Sequence, residues 1–247
     1  MTLEGTVALV TGAARRVGRA IALELARAGC DVAIHYRRSE GDARELAEEV
    51  RALKRKGTVI RADLSEPESW PFIIERTVEK MGRLDVLVNN ASEFHAVPLD
   101  VNEAFDQVGW ERTLRVNLVA PASLSYHARR HLKSHGQGKI INLTDIQAER
   151  PTPSNLVYCV SKAALDALTK GLARAFAPDI QVTGVALGIA EFPDGYSESL
   201  RQKLINQVPL RRAGTPQEVA QVVRFLVESG DFVTGEIVRL DGGRSCA

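Results

Sequence analysis

Apolar residues along the chain follow two periods that take turns. Short runs rich in Val, Ile and Leu, of the length of buried strands, stand at residues 7–10, 31–34, 59–62, 84–88, 139–143, 181–186 and 236–240. Between them apolar positions recur three and four apart, as at Val17, Ala20, Ile21 and Leu25, which lays one apolar stripe along a helix. Helices are predicted from Val17 to a stop at Gly29, from a Ser39 cap to about Lys56, over 66–81, over 101–134 with an interruption near Gly109, through Tyr158, and over 216–228. Residues 188–208 read as loop.

Strands alternating with helices imply right-handed βαβ units and a parallel sheet covered on both faces. No Pro/Gly/Ser linker, low-complexity tract or repeat divides the chain, so residues 1–247 are expected to form one doubly wound α/β domain of about seven strands. Ligands of such sheets bind beyond the carboxyl ends of the strands. Residues 11–18, 35–39, Asp63, 89–94, Thr144 with Asp145, and Gly188 onward should therefore converge on one crevice.

Composition narrows the partners. With 45% hydrophobic and 26% charged residues and a net charge of +1, the chain can bury a core and shows no bias towards nucleic acid or membranes. Three cysteines without C-x-x-C spacing, no basic–apolar leader at the start and no apolar run of membrane length lead us to expect a cytoplasmic protein.

Tyr158 and Lys162 are four apart at the start of a helical pattern, so they share one face. An ammonium near a phenol favours the phenolate and brings its pKa down towards neutrality, which suits a general acid. The turn after the first strand runs Thr11-Gly12-Ala13-Ala14-Arg15-Arg16-Val17-Gly18, with glycines for a tight turn and close helix packing. The helix N-terminus then faces a pyrophosphate, with Arg15 and Arg16 adding positive charge. After the second strand, His35-Tyr36-Arg37-Arg38-Ser39 lacks the acidic residue that holds a ribose 2′-OH. Arg38 and Ser39 suit a 2′-phosphate, hence NADPH over NADH, whereas Arg37 reads as a solvated loop residue. His127, His131 and His135 sit four apart but among Arg129, Arg130 and Lys133, with no carboxylate or cysteine beside them, so no metal site is expected.

Taken together, Thr11-Gly12 to Gly18, Asp63, Asn89-Asn90-Ala91, Asn117, Tyr158 with Lys162, and Asp241-Gly242-Gly243 resemble the short-chain dehydrogenase/reductase family over nearly the whole chain. The resemblance implies a Rossmann-like sheet, usually a homotetramer, and hydride transfer from a nicotinamide to a small-molecule substrate. It makes Tyr158 the proton donor and has Lys162 hold the nicotinamide ribose and lower the Tyr158 pKa. Asn117 would fix a water in a proton relay, Asp63 would meet the adenine and Asn89 the adenosine ribose. Gly12, Arg15, Arg16, Val17, Gly18, His35, Leu64, Ala91, Gly188 and Ile189 complete the expected cofactor contacts.

Three positions depart from the common family pattern: Arg16 replaces the middle glycine, Asp145 replaces the serine 13 residues before Tyr158, and Leu187-Gly188 replaces Pro-Gly, with Phe192 where a threonine is expected. Arg16, His35 to Ser39, Asn90-Ala91-Ser92-Glu93-Phe94 and Asp145 resemble the pteridine reductase and dihydromonapterin reductase branch. That resemblance implies an NADPH-dependent dihydropterin reductase, with oxidised pterins and dihydrofolate as further candidate substrates. An ionised carboxylate accepts hydrogen bonds and would repel a developing alkoxide, but it can receive the N–H donors of a pterin or share a proton with Tyr158. Phe94 would stack on the pterin, while Arg16 and Ser92 would meet cofactor or substrate. Glu93 and His95 read as loop residues, and 188–209 as a lid. The alternatives are a carbonyl reductase of the same fold, for instance on a 3-oxoacyl thioester, and a silent dinucleotide sensor.

Overall fold

The computed structural model describes residues 1–94, 105–134, 136–192 and 195–246. Seven strands form one sheet in the order β3-β2-β1-β4-β5-β6-β7, and every pairing is parallel. They are β1 (Val7–Val10), β2 (Asp31–Tyr36), β3 (Gly57–Arg61), β4 (Val86–Asn89), β5 (Gly138–Asp145), β6 (Ile180–Leu187) and β7 (Ile237–Leu240). Order reverses at β1, which pairs β2 on one side and β4 on the other. That switch point opens the crevice where such sheets bind ligands.

Strand side chains alternate between faces, so two apolar layers form. Ala8 and Val10 pack with Ile21 and Leu25 of α1 (Arg16–Arg27), Leu46 of α2 (Glu40–Ala52) and Val223 of α8 (Pro216–Glu228). Val7 and Leu9 pack with Ile73 of α3 (Ser69–Met81), Leu124 of α5 (Ala120–Lys133) and Phe176 of α6 (Leu156–Phe176). β5 and β6 run longer than their apolar cores suggest, and this makes Asp145 the last residue of β5.

Four local expectations change. Ser39 sits at the start of α2, but its side chain makes no capping bond. α2 ends at Ala52 instead of near Lys56, because Lys54 turns left-handed at φ 60°. α3 starts at Ser69 instead of 66, because Asp63 first organises a turn, taking the Ser65 N–H at 2.9 Å and the Ser65 hydroxyl at 2.8 Å. Gly109 does not interrupt its helix; it lies inside α4 (Gln107–Leu114), with its N–H capped by Asp106 at 2.9 Å. The interruption is one turn of π-helix at Arg115–Val119, around Asn117. Residues 101–104 of that predicted helix lie outside the described residues.

The 188–208 stretch holds a helix, α7 (Glu198–Ile205), capped by Ser197. None of its residues is buried, so no apolar stripe announced it. No described helix is long and apolar enough to cross a membrane.

Candidate active site

At the end of β1 the chain turns on Gly12, whose φ of 63° favours glycine. A side chain at Gly18 would meet the Gly12 carbonyl at 2.4 Å and the Asn90 amide at 2.5 Å, so helix α1 presses directly on the turn. Arg16 opens α1 at φ 56°, a left-handed backbone that favours glycine over a side chain. Its guanidinium reaches across the cleft to Glu191 at 2.9 Å. No acidic residue stands in the first turn of α1, which leaves its N-terminal N–H groups suited to an anion.

The turn is held from both flanks. Buried His35 accepts the Gly12 N–H at Nδ1 (3.1 Å), so its Nε2 must donate to the Ala62 carbonyl (3.2 Å). Burial keeps this imidazole neutral, with its pKa lowered to about 4. On the other side Asn90 donates to the carbonyls of Thr11 (2.8 Å) and Gly12 (3.2 Å). A cleft of about 680 Å3 follows, lined by Gly12, Arg15, Arg16, Val17, Gly18, His35, Asp63, Leu64, Ala91, Ser92, Phe94, Asp145, Tyr158, Lys162 and Gly188 among others. It runs from the β2 end to the start of α6.

The reactive groups stand where this cleft meets a second cavity of about 770 Å3; Phe94, Asp145, Tyr158, Gly188 and Glu191 line both. The Tyr158 hydroxyl donates to Asp145 Oδ2 at 2.9 Å, and the other carboxylate oxygen receives the Gln147 N–H at 2.9 Å. Phe94 meets the Tyr158 ring edge-on, with centroids 5.1 Å apart. Lys162 is buried, and its Nζ donates to the Leu143 carbonyl at 2.8 Å. Asn117, presented by the π-turn, receives the Ser92 hydroxyl (3.2 Å) and the Glu93 N–H (2.7 Å) and donates to Ser161 Oγ (3.0 Å).

The electrostatics correct one expectation. Lys162 does not lower the Tyr158 pKa in this chain; the phenol is raised well above its ordinary value by burial and by the carboxylate beside it. Asp145 touches the hydroxyl, whereas the Lys162 ammonium lies 5.6 Å from the ring centre, bonded elsewhere. Burial also raises Asp145, against the opposing hydrogen bonds from Gln147 and Tyr158, and lowers Lys162 to about 8. The result is a neutral phenol hydrogen-bonded to a carboxyl group biased towards protonation, a pair able to hold and pass one proton.

Other predicted residues fall in different places. The Asn89 side chain does not line either cavity; it is buried and donates to Asn142 at 2.8 Å, and its neighbour Asn90 lines the cleft. Arg38 is exposed, neither it nor Ser39 lines either cavity, and Ile189 lines the second one. Arg37 is not a solvated loop residue: it sits 3.5 Å from Glu93 and 4.0 Å from Asp63. Glu93, read as an ordinary loop residue, also binds Arg112 at 2.7 Å, while its main chain binds Asn117. Asp63 is held below the usual carboxylate range: burial works upward, but the Ser65 hydrogen bonds and the Arg37 and Arg112 guanidiniums outweigh it. His135 lies outside the described residues, and no metal-binding group of side chains occurs among the described ones.

A family model described as enoyl-(acyl carrier protein) reductase matches residues 12–245. A 3-oxoacyl-(acyl-carrier-protein) reductase of Staphylococcus aureus is 32% identical over 240 residues, covering 96% of this chain and 96% of that protein. Among solved structures, the FolM alternative dihydrofolate reductase 1 of Brucella canis, complexed with NADP, superposes with a TM-score of 0.92 at 31% identity, over 100% of this chain and 96% of the other. A short-chain dehydrogenase of Burkholderia cenocepacia in complex with NADP gives 0.91 at 34%, over 99% of each chain. The chain belongs to the short-chain dehydrogenase/reductase family and is one of its NAD(P)-dependent oxidoreductases.

Proposed function

We propose that this member of the short-chain dehydrogenase/reductase family is an NADPH-dependent pterin reductase that takes a dihydropterin to a tetrahydropterin. The observation that carries the reading is the Tyr158–Asp145 hydrogen bond of 2.9 Å at the joint of the two cavities. A ketone reductase needs a donor where its alkoxide forms, and a carboxylate there is adverse. Reduction of a C=N bond needs a proton on nitrogen, and the Tyr158–Asp145 pair holds one in a buried site.

The residues fit the cofactor. The N–H groups at the start of α1 and the Arg15 guanidinium favour a pyrophosphate, and at the β2 end Arg37 lines the cleft, with Arg38 and Ser39 outside its wall and no acidic residue from 35 to 39. Lys162 and Asn117 would hold the nicotinamide ribose and a relay water. When bound, NADPH supplies the hydride that reaches the substrate carbon. Tyr158 would deliver the one proton of the pair to the ring nitrogen, the Asp145 carboxylate holding the hydroxyl in place, and a proton from solvent would restore the pair. Phe94 would cover the pterin face, and Arg16 and Ser92 would meet its edge; the dihydrofolate reductase name of the Brucella structure supports a pteridine ring.

The related 3-oxoacyl reductase favours a second reading, reduction of a ketone by the same Tyr158 and Lys162. One assay separates the two: NADPH oxidation with dihydrobiopterin, dihydromonapterin, dihydrofolate and an acetoacetyl thioester. Pterin turnover, and a fall of about 10²-fold in it for Asp145→Ser, is the expected outcome. Turnover of the thioester alone overturns the reading. NADH as efficient as NADPH overturns the cofactor choice. We further propose a homotetramer, given the exposed Tyr126 on α5 and Phe225 on α8, to be measured by light scattering.

A further inference from the structure

We infer that Glu191 selects the ring: its carboxylate accepts the paired N–H donors of an aminopyrimidinone edge, while Arg16 holds it in place and donates to the neighbouring carbonyl. The inference rests on the pterin reading and adds to it the residue that tells an amino-substituted ring from one without the amino group.

Glu191 and Asp145 are the two carboxylates that line both cavities among the described residues, and they are committed differently. Both oxygens of Asp145 are taken, one by the Tyr158 hydroxyl and the other by the Gln147 N–H, each at 2.9 Å. Glu191 receives Arg16 Nε on Oε2 alone, at 2.9 Å, and among the described residues no donor bonds its Oε1. Both members of this pair are exposed in the cleft wall, so a ligand can reach them. An exposed ion pair contributes little to stability. Its place at the joint of the cavities is thus better explained by a ligand than by the fold.

Backbone contacts fix where this carboxylate stands. Just past β6, Gly188 donates its N–H to the Leu240 carbonyl at 3.0 Å, and the Ile189 carbonyl receives the Gly214 N–H at 2.8 Å. A side chain at Gly188 would meet the Asp241 Cα at 2.7 Å, so this strand end is pressed against the end of β7. Two residues after Ile189, Arg16 adds a long second contact, Nη2 to the Glu191 carbonyl at 3.5 Å. A carboxylate offers acceptors only and a guanidinium donors only, so side by side they present an acceptor pair and then a donor. The aminopyrimidinone edge of a pterin is the complement: a ring N–H and an amino N–H, with a carbonyl oxygen beside them. Two parallel N–H bonds to one carboxylate are a strong and directional pairing. A ring with oxygen in place of the amino group sets acceptor against acceptor and leaves both unpaired. A 3-oxoacyl thioester has no such edge beside its reacting carbonyl.

The test exchanges the amino group for a carbonyl at constant reacting bond, comparing dihydrobiopterin with the dihydrolumazine that carries the same side chain. The parent chain should prefer the amino ring in kcat/KM with NADPH. Glu191→Gln, whose amide both accepts and donates, should cut that preference about tenfold. Glu191→Asp, which keeps the acceptor pair, should retain it. Calorimetric binding of the two rings to the NADP+-loaded chain is the second measurement, and it decides where turnover is too slow to compare. In Glu191→Gln, an unchanged preference, or an equal loss for both rings, overturns the inference and leaves the pterin reading standing. Turnover of an acetoacetyl thioester with neither ring bound overturns the pterin reading and the inference with it.

Discussion

The two cavities that share Tyr158 and Asp145 are built from different materials. The cofactor cleft is made largely of backbone: the Gly12 turn, the end of β1 and the start of α1, cross-braced by His35 and Asn90 through main-chain groups. The second cavity is made of side chains from late segments, including Gln147, Phe192, Tyr196, Gln207 and Arg244, several of them on loops or on the wholly unburied α7. Backbone contacts suit a ligand that every family member shares. Side chains on connecting segments can change without disturbing the sheet, which makes this cavity the part of the site that can differ between relatives.

Tyr158 belongs to both cavities, and Tyr158→Phe is expected to have the largest effect: kcat down by about 10³-fold, with the NADPH Kd changed less than about threefold. Fluorescence titration with NADPH alongside turnover checks this, and an equal loss in both would erase the division between the cavities. Next comes Gly18→Ala, which forces a methyl against the Gly12 carbonyl and the Asn90 amide. It should cost about 1–3 kcal/mol of stability and weaken NADPH, whereas Gln207→Ala on the substrate side should leave the denaturant midpoint within experimental error.

Acid should reach the cofactor side through His35. Its folded pKa of about 4 lies below the ordinary histidine value of 6.5, so between these values the unfolded chain binds more protons. Stability contributed by neutral His35 is present above pH 6.5 and is lost as pH falls through that window, by about 3 kcal/mol in total. Unfolding curves should show a flatter acid slope in His35→Gln than in the parent chain. A small effect is expected from Arg16→Gly. It relieves a left-handed arginine but removes the Glu191 bond, so stability should change by less than about 1 kcal/mol. A large loss would mean that Arg16 braces the cleft instead of serving a ligand.

Much of this was written in the chain order. Periodicity alone determined seven strands, their alternation with helices and the crevice beyond their ends, because burial on a two-faced sheet demands those spacings. Thr11 to Gly18, Tyr158 and Lys162 stood out because glycine backbone freedom and a one-turn helical offset are local properties. Tertiary structure alone decided what depends on contact across the chain. It put Asp145, and not Lys162, against the phenol and so reversed the expected pKa shift. It turned Glu93 and Arg37 from loop residues into one ion-pair network, buried Asn89 while leaving Asn90 in the cleft, and brought Arg244 to the wall of the second cavity. Charge and burial act through space over a few ångströms, and no spacing along one chain encodes which distant groups will meet.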